Sequence, residues 1–285
     1  MKSNNDTPLI TVIVAVFNAE TTVRQCLNSF TEQTYQKKQL IVIDGGSKDS
    51  TVEIIKDYHD VIDYWISEPD SGIYSAWNKA LLHATGDWVC FLGADDYFYN
   101  ERVLEEISAE LASGLPADIR IVYGQVLLVD TLGNAIFTVG ESWQKSGKLF
   151  NKLMSIPHLG AMHHKSLFDE YGYFDESFKI AGDYEFLLRE LKNAQAHFMP
   201  HIISVCMQIG GISSNPLNAI KQLKEVRRAQ KNHGYYWPSL AWLFAYSRPY
   251  IRIILFKTFG EKTARSILDY LRSLSGKSTY WTKTR

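Results

Sequence analysis

The sequence predicts an α/β fold, a mainly parallel sheet with helices on both faces and a C-terminal helical tail. Three observations predict it. The first hundred residues alternate short β-branched runs with helix-period stretches, the rhythm of βαβ units. Polar or glycine residues close each run, as the ends of buried parallel strands require. From residue 221 onward the chain changes character and becomes basic and aromatic.

In order, residues 9–17, 39–43, 62–66 and 88–92 are the strand candidates, each short, apolar and expected to be buried. Helices are expected over 21–34, 50–59, 73–84 and 101–113, the second with Ser50 and Glu53 at capping-box spacing. After Gly114 the rhythm breaks. Residues 120–129 and 135–139 form a hairpin candidate around a turn at 131–134. Residues 156–182 are loop-rich, and 183–192 read as a helix with Phe186, Leu187 and Leu191 inward and Arg189 and Glu190 facing water. The expected organisation is a domain over 1–220, divided near 114 into a ligand-binding half (about 1–114) and a second half (about 115–220), with a tail over 221–285.

With 285 residues, 46% apolar and 21% charged, the chain can bury a sizeable core, and disorder is excluded as its dominant state. A net charge of -1 argues against a general nucleic-acid binder, and no apolar run approaches the roughly 18 residues of a membrane span. Cys26, Cys90 and Cys206 are far apart within apolar runs, so they read as reduced core residues rather than zinc ligands or disulfides. Residues 1–8 lack the apolar middle of a secretory signal, which places the chain in the cytoplasm. The charge is divided unevenly: residues 1–220 carry 16 Lys and Arg against 28 Asp and Glu, whereas residues 221–285 carry 14 against 3. Within that tail, residues 235–260 mix Trp, Tyr and Phe with Arg248, Arg252 and Lys257, the composition of a segment lying peripherally against anionic lipid; the alternative is a pair of helices closing the core.

Ligands of open α/β sheets bind beyond the carboxyl ends of the strands, so the residues after each run matter most. They are Phe17-Asn18, Asp44-Gly45-Gly46-Ser47, Glu68-Pro69-Asp70-Ser71-Gly72 and Gly93-Ala94-Asp95-Asp96. Adjacent carboxylates at a strand end repel unless a cation relieves them, and hard oxygen donors suit Mg2+ or Mn2+. A solvated turn or helix cap is the competing reading of Asp95-Asp96. The glycine pair after Asp44 allows backbone to approach a ligand closely, with Asp44 placed to accept from a base or ribose. Asp183 opens a helix, where the macrodipole favours an ionised carboxylate ready to take a proton; a plain N-cap is the alternative. His158 is a candidate substrate contact, while His163 and His164 read as packing or surface residues. No nucleophile elbow, Cys-His pair or dinucleotide fingerprint follows the first strand.

Taken in order, ITVIVAVFNAETTVRQCLNSFTEQTY, QLIVIDGGSKDST, EPDSGIYSAWNKALLHATGDWVCFLGADD and FDESFKIAGDYEFLLREL resemble the inverting glycosyltransferase family 2, with its GT-A fold, from about residue 10 to 214. The resemblance implies a nucleotide-diphosphate sugar donor, most simply UDP-linked. It places Ala15, Phe17 and Asp44 around the base, Asp95 near the ribose, Asp96 as ligand of Mn2+ or Mg2+, and Asp183 as general base; His158, the candidate substrate contact, is assigned to the acceptor independently of the resemblance. The implied acceptor is a glycan or lipid-linked saccharide of a bacterial surface polysaccharide, which would bring the enzyme to the inner face of the cytoplasmic membrane. Two positions depart from the family pattern. Gly45 stands where many members carry a second aspartate able to read the base, and Ala94 replaces the first aspartate of Asp-x-Asp, leaving the metal more dependent on the diphosphate. The Gln-x-x-Arg-Trp of processive members is absent after Gln208, so a single addition is expected. A nucleotidyltransferase is the alternative enzyme, disfavoured because residues 16–22 carry no basic side chain. A non-catalytic sugar-nucleotide-binding assembly partner is the third reading, disfavoured by the presence of both Asp96 and Asp183.

Overall fold

The computed structural model describes residues 7–209, 216–274, 276 and 279–282. The first half runs β1 (Ile10–Val16), α1 (Val23–Thr31), β2 (Lys38–Asp44), α2 (Thr51–Lys56), β3 (Tyr64–Ser67), α3 (Ile73–Leu81), β4 (Trp88–Gly93), β5 (Tyr97–Phe98) and α4 (Val103–Ala112). The second continues β6 (Ile121–Val129), β7 (Ala135–Val139), α5 (Trp143–Phe150), β8 (Met162–His164), α6 (Ser166–Tyr171), α7 (Gly182–Leu191) and β9 (His197–Gln208). Helices α8 (Pro216–Asn232) and α9 (Leu240–Leu274) follow. The described strands form one sheet in the order β3-β2-β1-β4-β8-β6-β9-β5, with β7 off this order, paired antiparallel to residues 126–129 of β6.

β1 pairs in parallel with both β2 and β4, and β2 with β3. Past β4 the sheet becomes mixed, because β8 runs antiparallel to both β4 and β6. Alternation explains the continuous apolar runs of the inner strands. Val12, Val14, Val16, Leu40, Val42, Cys90 and Leu92 pack with α1 and α4 on one face. Ile13, Ile41, Ile43, Val89 and Phe91 pack with α3 and α7 on the other. Each buried Val, Leu, Ile or Phe contributes roughly 1.5–3 kcal/mol, so neither face can turn to water. Cys26, Cys90 and Cys206 are free and buried.

Several expectations change. β3 is an edge strand, and Tyr64, Trp65 and Ile66 are only half-buried rather than enclosed. The Ser50–Glu53 capping box does not form. The Ser50 N–H, which Glu53 would accept in the box, donates instead to Glu20 (2.9 Å), and the Thr51 N–H donates to Asp49 (3.1 Å), so carboxylates from outside the helix take its first N–H groups. The 131–134 turn closes as expected, with Asp130 accepting the N–H groups of Leu132 and Asn134. The loop-rich segment 156–182 contains β8 and α6, both too short to carry a periodic signal. On α7, Glu190 is buried rather than wet because Arg120 grips it with two guanidinium nitrogens. Glu185, also buried, pairs with Arg189 (2.6 Å) and His233 (3.0 Å).

The boundary expected between 220 and 221 falls inside α8, one continuous helix. Ile220, Val226 and Ala229 of α8 are buried, and Gln230 donates to the Lys152 carbonyl (2.8 Å). α8 therefore closes the core, and the start of α9 joins it through Trp242, whose indole N–H donates to the Leu223 carbonyl (2.9 Å). Gly260, at φ 71°, breaks α9 into two arms. No described helix is long and apolar enough to cross a membrane. The sequence after Gln208 that bears on processivity, and the end of the family resemblance at 214, lie outside the described residues.

Candidate active site

The chain order reverses at β1, whose neighbours are β2 and β4, so the crevice beyond the carboxyl ends of β1 and β4 is the switch point of the sheet. Phe17 and the Asp95-Asp96 pair stand there. Ala15 is half-buried against the core, and the Phe17 ring is 62% exposed at the end of β1.

The pair Asp95-Asp96 folds back over Gly93. A methyl group on Gly93 would lie 2.8 Å from one Asp96 oxygen and 2.9 Å from one Asp95 oxygen, so the missing side chain makes room for both carboxylates. Asp96 is buried, and burial followed by the negative charge of Asp95 pushes its carboxyl well above the usual range, opposed by hydrogen bonds from the backbone of Gly93 and Gln208. Two converging oxygen donors with an unfavourable buried charge fit a hard divalent cation. Among the described residues no group of three His, Cys, Asp or Glu side chains could hold a metal alone, so further ligands would have to come from substrate phosphates.

Asp44 does not face the crevice. It is fully buried, with its carboxylate accepting from the N–H groups of Gly46 (3.1 Å) and Ser47 (3.0 Å), the Ser67 hydroxyl (2.6 Å) and the Ser47 hydroxyl. Its oxygens organise the turn after β2 and tie it to β3, leaving no acceptor for a base or ribose. Gly46, at φ 83°, lets that turn run under Pro69.

His158 does not contact a solvent-facing acceptor either. It is 7% exposed, with its ring against Trp77 (5.2 Å), Phe91 (5.5 Å) and His163 (4.9 Å). Burial holds the imidazole well below its usual pKa, and so neutral. His163 is likewise a core residue, lowered to about 4 by burial, and its Nδ1 lies 3.3 Å from the Val89 carbonyl. His164 is half-buried, its Nδ1 2.8 Å from the Ser166 hydroxyl.

Asp183 lies in the first turn of α7, half-buried. Its Oδ1 accepts from the Tyr184 N–H (2.8 Å) and the Tyr74 hydroxyl (3.3 Å). Burial dominates and raises its carboxyl to about 6, opposed by those two hydrogen bonds and assisted by the negative charge of Glu225. The helix terminus thus does not hold it at an ordinary aspartate value. A carboxylate poised near 6 remains ionised at neutral pH yet binds a proton far more readily than an exposed one. α3 begins at the carboxyl ends of the parallel strands, so Tyr74 in its first turn places Asp183 on the same edge as Asp95 and Asp96.

Sequence reasoning missed the residues that hold Asp183. Gly182 packs directly on the Tyr74 ring, where a methyl group would come within 2.8 Å. Glu225 of α8 accepts the N–H groups of Lys179, Ile180 and Ala181 at 2.8–3.1 Å. Lys179 in turn donates to the Ser71 carbonyl (2.9 Å), joining the loop before Asp183 to the loop after β3.

A parallel β3-β2-β1-β4 unit with paired carboxylates at its switch point, joined to a mixed half that supplies a half-buried aspartate, is the arrangement of a nucleotide-sugar transferase with a GT-A fold. Residues 11–169 match Glycosyl transferase family 2, and the chain belongs to that family. It is 27% identical over 212 residues to a PGL/p-HBAD biosynthesis glycosyltransferase of Mycobacterium bovis, covering 73% of this chain and 80% of that protein. The crystal structure of S. aureus TarS superposes with TM-score 0.62 at 18% identity over 90% of this chain, which spans 46% of TarS. TarS 1–349 matches in complexes with UDP (TM-score 0.59) and UDP-GlcNAc (0.58). A mannosyltransferase of Pyrobaculum calidifontis, in complex with GDP-Man and Mn2+, superposes with TM-score 0.61 at 17% identity over 98% of this chain and 84% of its own. The protein is a glycosyltransferase.

Proposed function

We propose that this enzyme transfers one sugar, with inversion, from a nucleoside-diphosphate sugar to a hydroxyl of a glycan or lipid-linked saccharide. The observation that carries the reading is Asp183, a half-buried carboxylate raised to about 6 on the same sheet edge as Asp95 and Asp96. The bond between the anomeric carbon and the diphosphate oxygen breaks, the acceptor oxygen bonds to that carbon from the opposite side, and the acceptor proton passes to Asp183. The diphosphate leaves with the bonding electron pair. Tyr74 and the Tyr184 N–H hold Asp183 in place for that proton. Asp96, with Asp95 beside it toward the ribose, would hold Mn2+ or Mg2+. When bound, the ion would neutralise charge developing on the diphosphate. Phe17 supplies an aromatic face for the base, with Ala15 two residues before it at the end of β1.

UDP-linked donors are favoured by the TarS complexes, while the mannosyltransferase complex supports both the nucleotide-sugar class and a divalent metal. Incubating the enzyme with Mn2+ and UDP-sugars tests the reading through release of UDP that depends on an added acceptor. No release with any nucleotide sugar, together with no binding of a nucleoside diphosphate, would refute it.

The placement at an anionic membrane rests on α9 and the turn before it. Trp237 (89% exposed), Tyr236, Leu240, Phe244, Ile251 and Ile254 are turned to solvent, beside Arg248 stacked on Phe244 at 4.7 Å. Aromatic and basic side chains in one exposed segment suit a headgroup interface. Vesicles containing phosphatidylglycerol should co-float with the protein at low salt, and Trp237→Ser with Phe244→Ser should abolish this. Equal flotation with neutral vesicles would refute an anionic surface.

A further inference from the structure

Gly45 leaves the turn after β2 without a second carboxylate, but the space above it is not vacant. A methyl group on Gly45 would lie 2.8 Å from Oδ2 of Asp70, 3.2 Å from its Cγ, and 3.3 Å from Cδ2 of Phe17. A carboxylate from the loop after β3 therefore occupies the place a side chain at 45 would take, beside the exposed ring at the switch point. The Asp70 loop is fixed. Lys79 pairs with Glu68 at 2.7 Å and donates to the Pro69 carbonyl, the Glu68 N–H donates to the Asp44 carbonyl (3.0 Å), and Gly46 packs against Pro69. The Gly72 N–H occupies Oδ1 of Asp70 at 2.9 Å, while no described protein donor reaches Oδ2.

We infer that Asp70 reads the nucleobase of the donor, accepting the N3–H of uracil through Oδ2 while the base lies against Phe17. This deepens the nucleotide-sugar reading and rests on it. The number of available oxygens decides between bases. Guanine offers N1–H and its amino group side by side, which match a carboxylate presenting both oxygens to the ligand, whereas Oδ1 of Asp70 is engaged by the Gly72 N–H of its own loop. Cytosine turns an N3 lone pair toward the carboxylate and is repelled. Uracil offers one N–H to one oxygen. The acidic side chain that Gly45 lacks is thus supplied from 25 residues downstream, and Gly45 is required because any side chain there would displace it.

Calorimetry with UDP, CDP and GDP in the presence of Mn2+ tests this on the full chain. Wild type should prefer UDP, and Asp70→Asn should weaken UDP by roughly 10- to 100-fold, the range for a lost hydrogen bond to a charged group, while CDP binding holds or improves because the repulsion of its N3 lone pair is gone. Gly45→Asp alone should impair UDP binding, because it collides with Asp70, yet in the Asp70→Ala background it should restore the UDP preference. A probe needing no mutation is N3-methyluridine diphosphate, which wild type should bind roughly 10- to 100-fold more weakly than UDP. Wild-type preference for CDP or GDP, an unchanged UDP to CDP ratio in Asp70→Asn, or equal affinity for the N3-methylated nucleotide overturns the inference. Wild type binding none of the diphosphates would instead sink the nucleotide-sugar reading beneath it.

Discussion

The hydroxyl of Tyr74 lies 3.3 Å from Oδ1 of Asp183, joining the helix that starts beside the nucleotide crevice to the helix that carries the proposed base. That contact opposes the burial that raises Asp183. The base is therefore balanced between two influences that can be altered separately.

Asp183→Asn should leave nucleotide binding nearly intact and reduce turnover by ~100-fold or more, the contribution typical of a general base. In wild type, turnover should fall as pH drops through about 6, because the protonated carboxyl cannot take the acceptor proton. Stability should move the other way. A carboxyl raised in the folded state holds its proton more tightly there than in the unfolded chain, so its ionised form destabilises the fold above about 6, and the cost fades as pH falls toward about 4. The rise from 3.8 to about 6 corresponds to about 3 kcal/mol at most. At pH 7.5 the inactive Asn variant should therefore melt above wild type, and a lower Tm would contradict the buried-charge account.

Tyr74→Phe removes a donor to the ionised form of Asp183. The acidic limb of the rate profile should shift upward by roughly 0.5–1 pH unit, with turnover at pH 9 within about tenfold of wild type. An unshifted profile with wild-type turnover would mean that the ring only fills space beneath Gly182.

Asp96→Asn should weaken UDP binding in Mn2+ while leaving the weaker binding in EDTA unchanged. Because a ligand that binds only the folded state raises its apparent stability, UDP with Mn2+ should raise the wild-type Tm more than UDP alone. The variant should lose that increment. Equal increments would remove Asp96 from metal binding.

How much of this was legible in the sequence depended on the range of the interaction. The four parallel strands and their helices were visible because alternation and 3.6-residue periodicity are local. The positions of Asp95, Asp96 and Asp183 followed strand and helix ends, which local signals also mark. Asp44 was misplaced because the motif shows a carboxylate at a turn but not the Ser67 hydroxyl that turns it inward from 23 residues away. His158 and Glu190 were misjudged for the same reason: Trp77 and Arg120 arrive from distant elements. A charge change near 221 suggested a boundary, yet Glu225 and Gln230 face the protein body within a helix whose overall composition is polar and basic.

Glu225 provides the strongest test of that correction. Its carboxylate accepts three consecutive N–H groups, from Lys179, Ile180 and Ala181, and so fixes the loop that enters Asp183. Glu225→Ala leaves those donors without their partner and should cost about 1–3 kcal/mol of stability. Because the affected backbone leads directly into Asp183 and reaches the Asp70 loop only through the Lys179 side chain, kcat should fall more than the donor KM rises. Glu225→Gln keeps an acceptor oxygen and should recover much of both losses. It also removes a negative charge that raises Asp183, so the acidic limb of its rate profile should move below about 6, opposite to the shift from Tyr74→Phe. Parallel pH profiles for the two variants would show that neither residue acts on the base, whereas divergence in these directions would place a helix beyond residue 216 within the catalytic machinery.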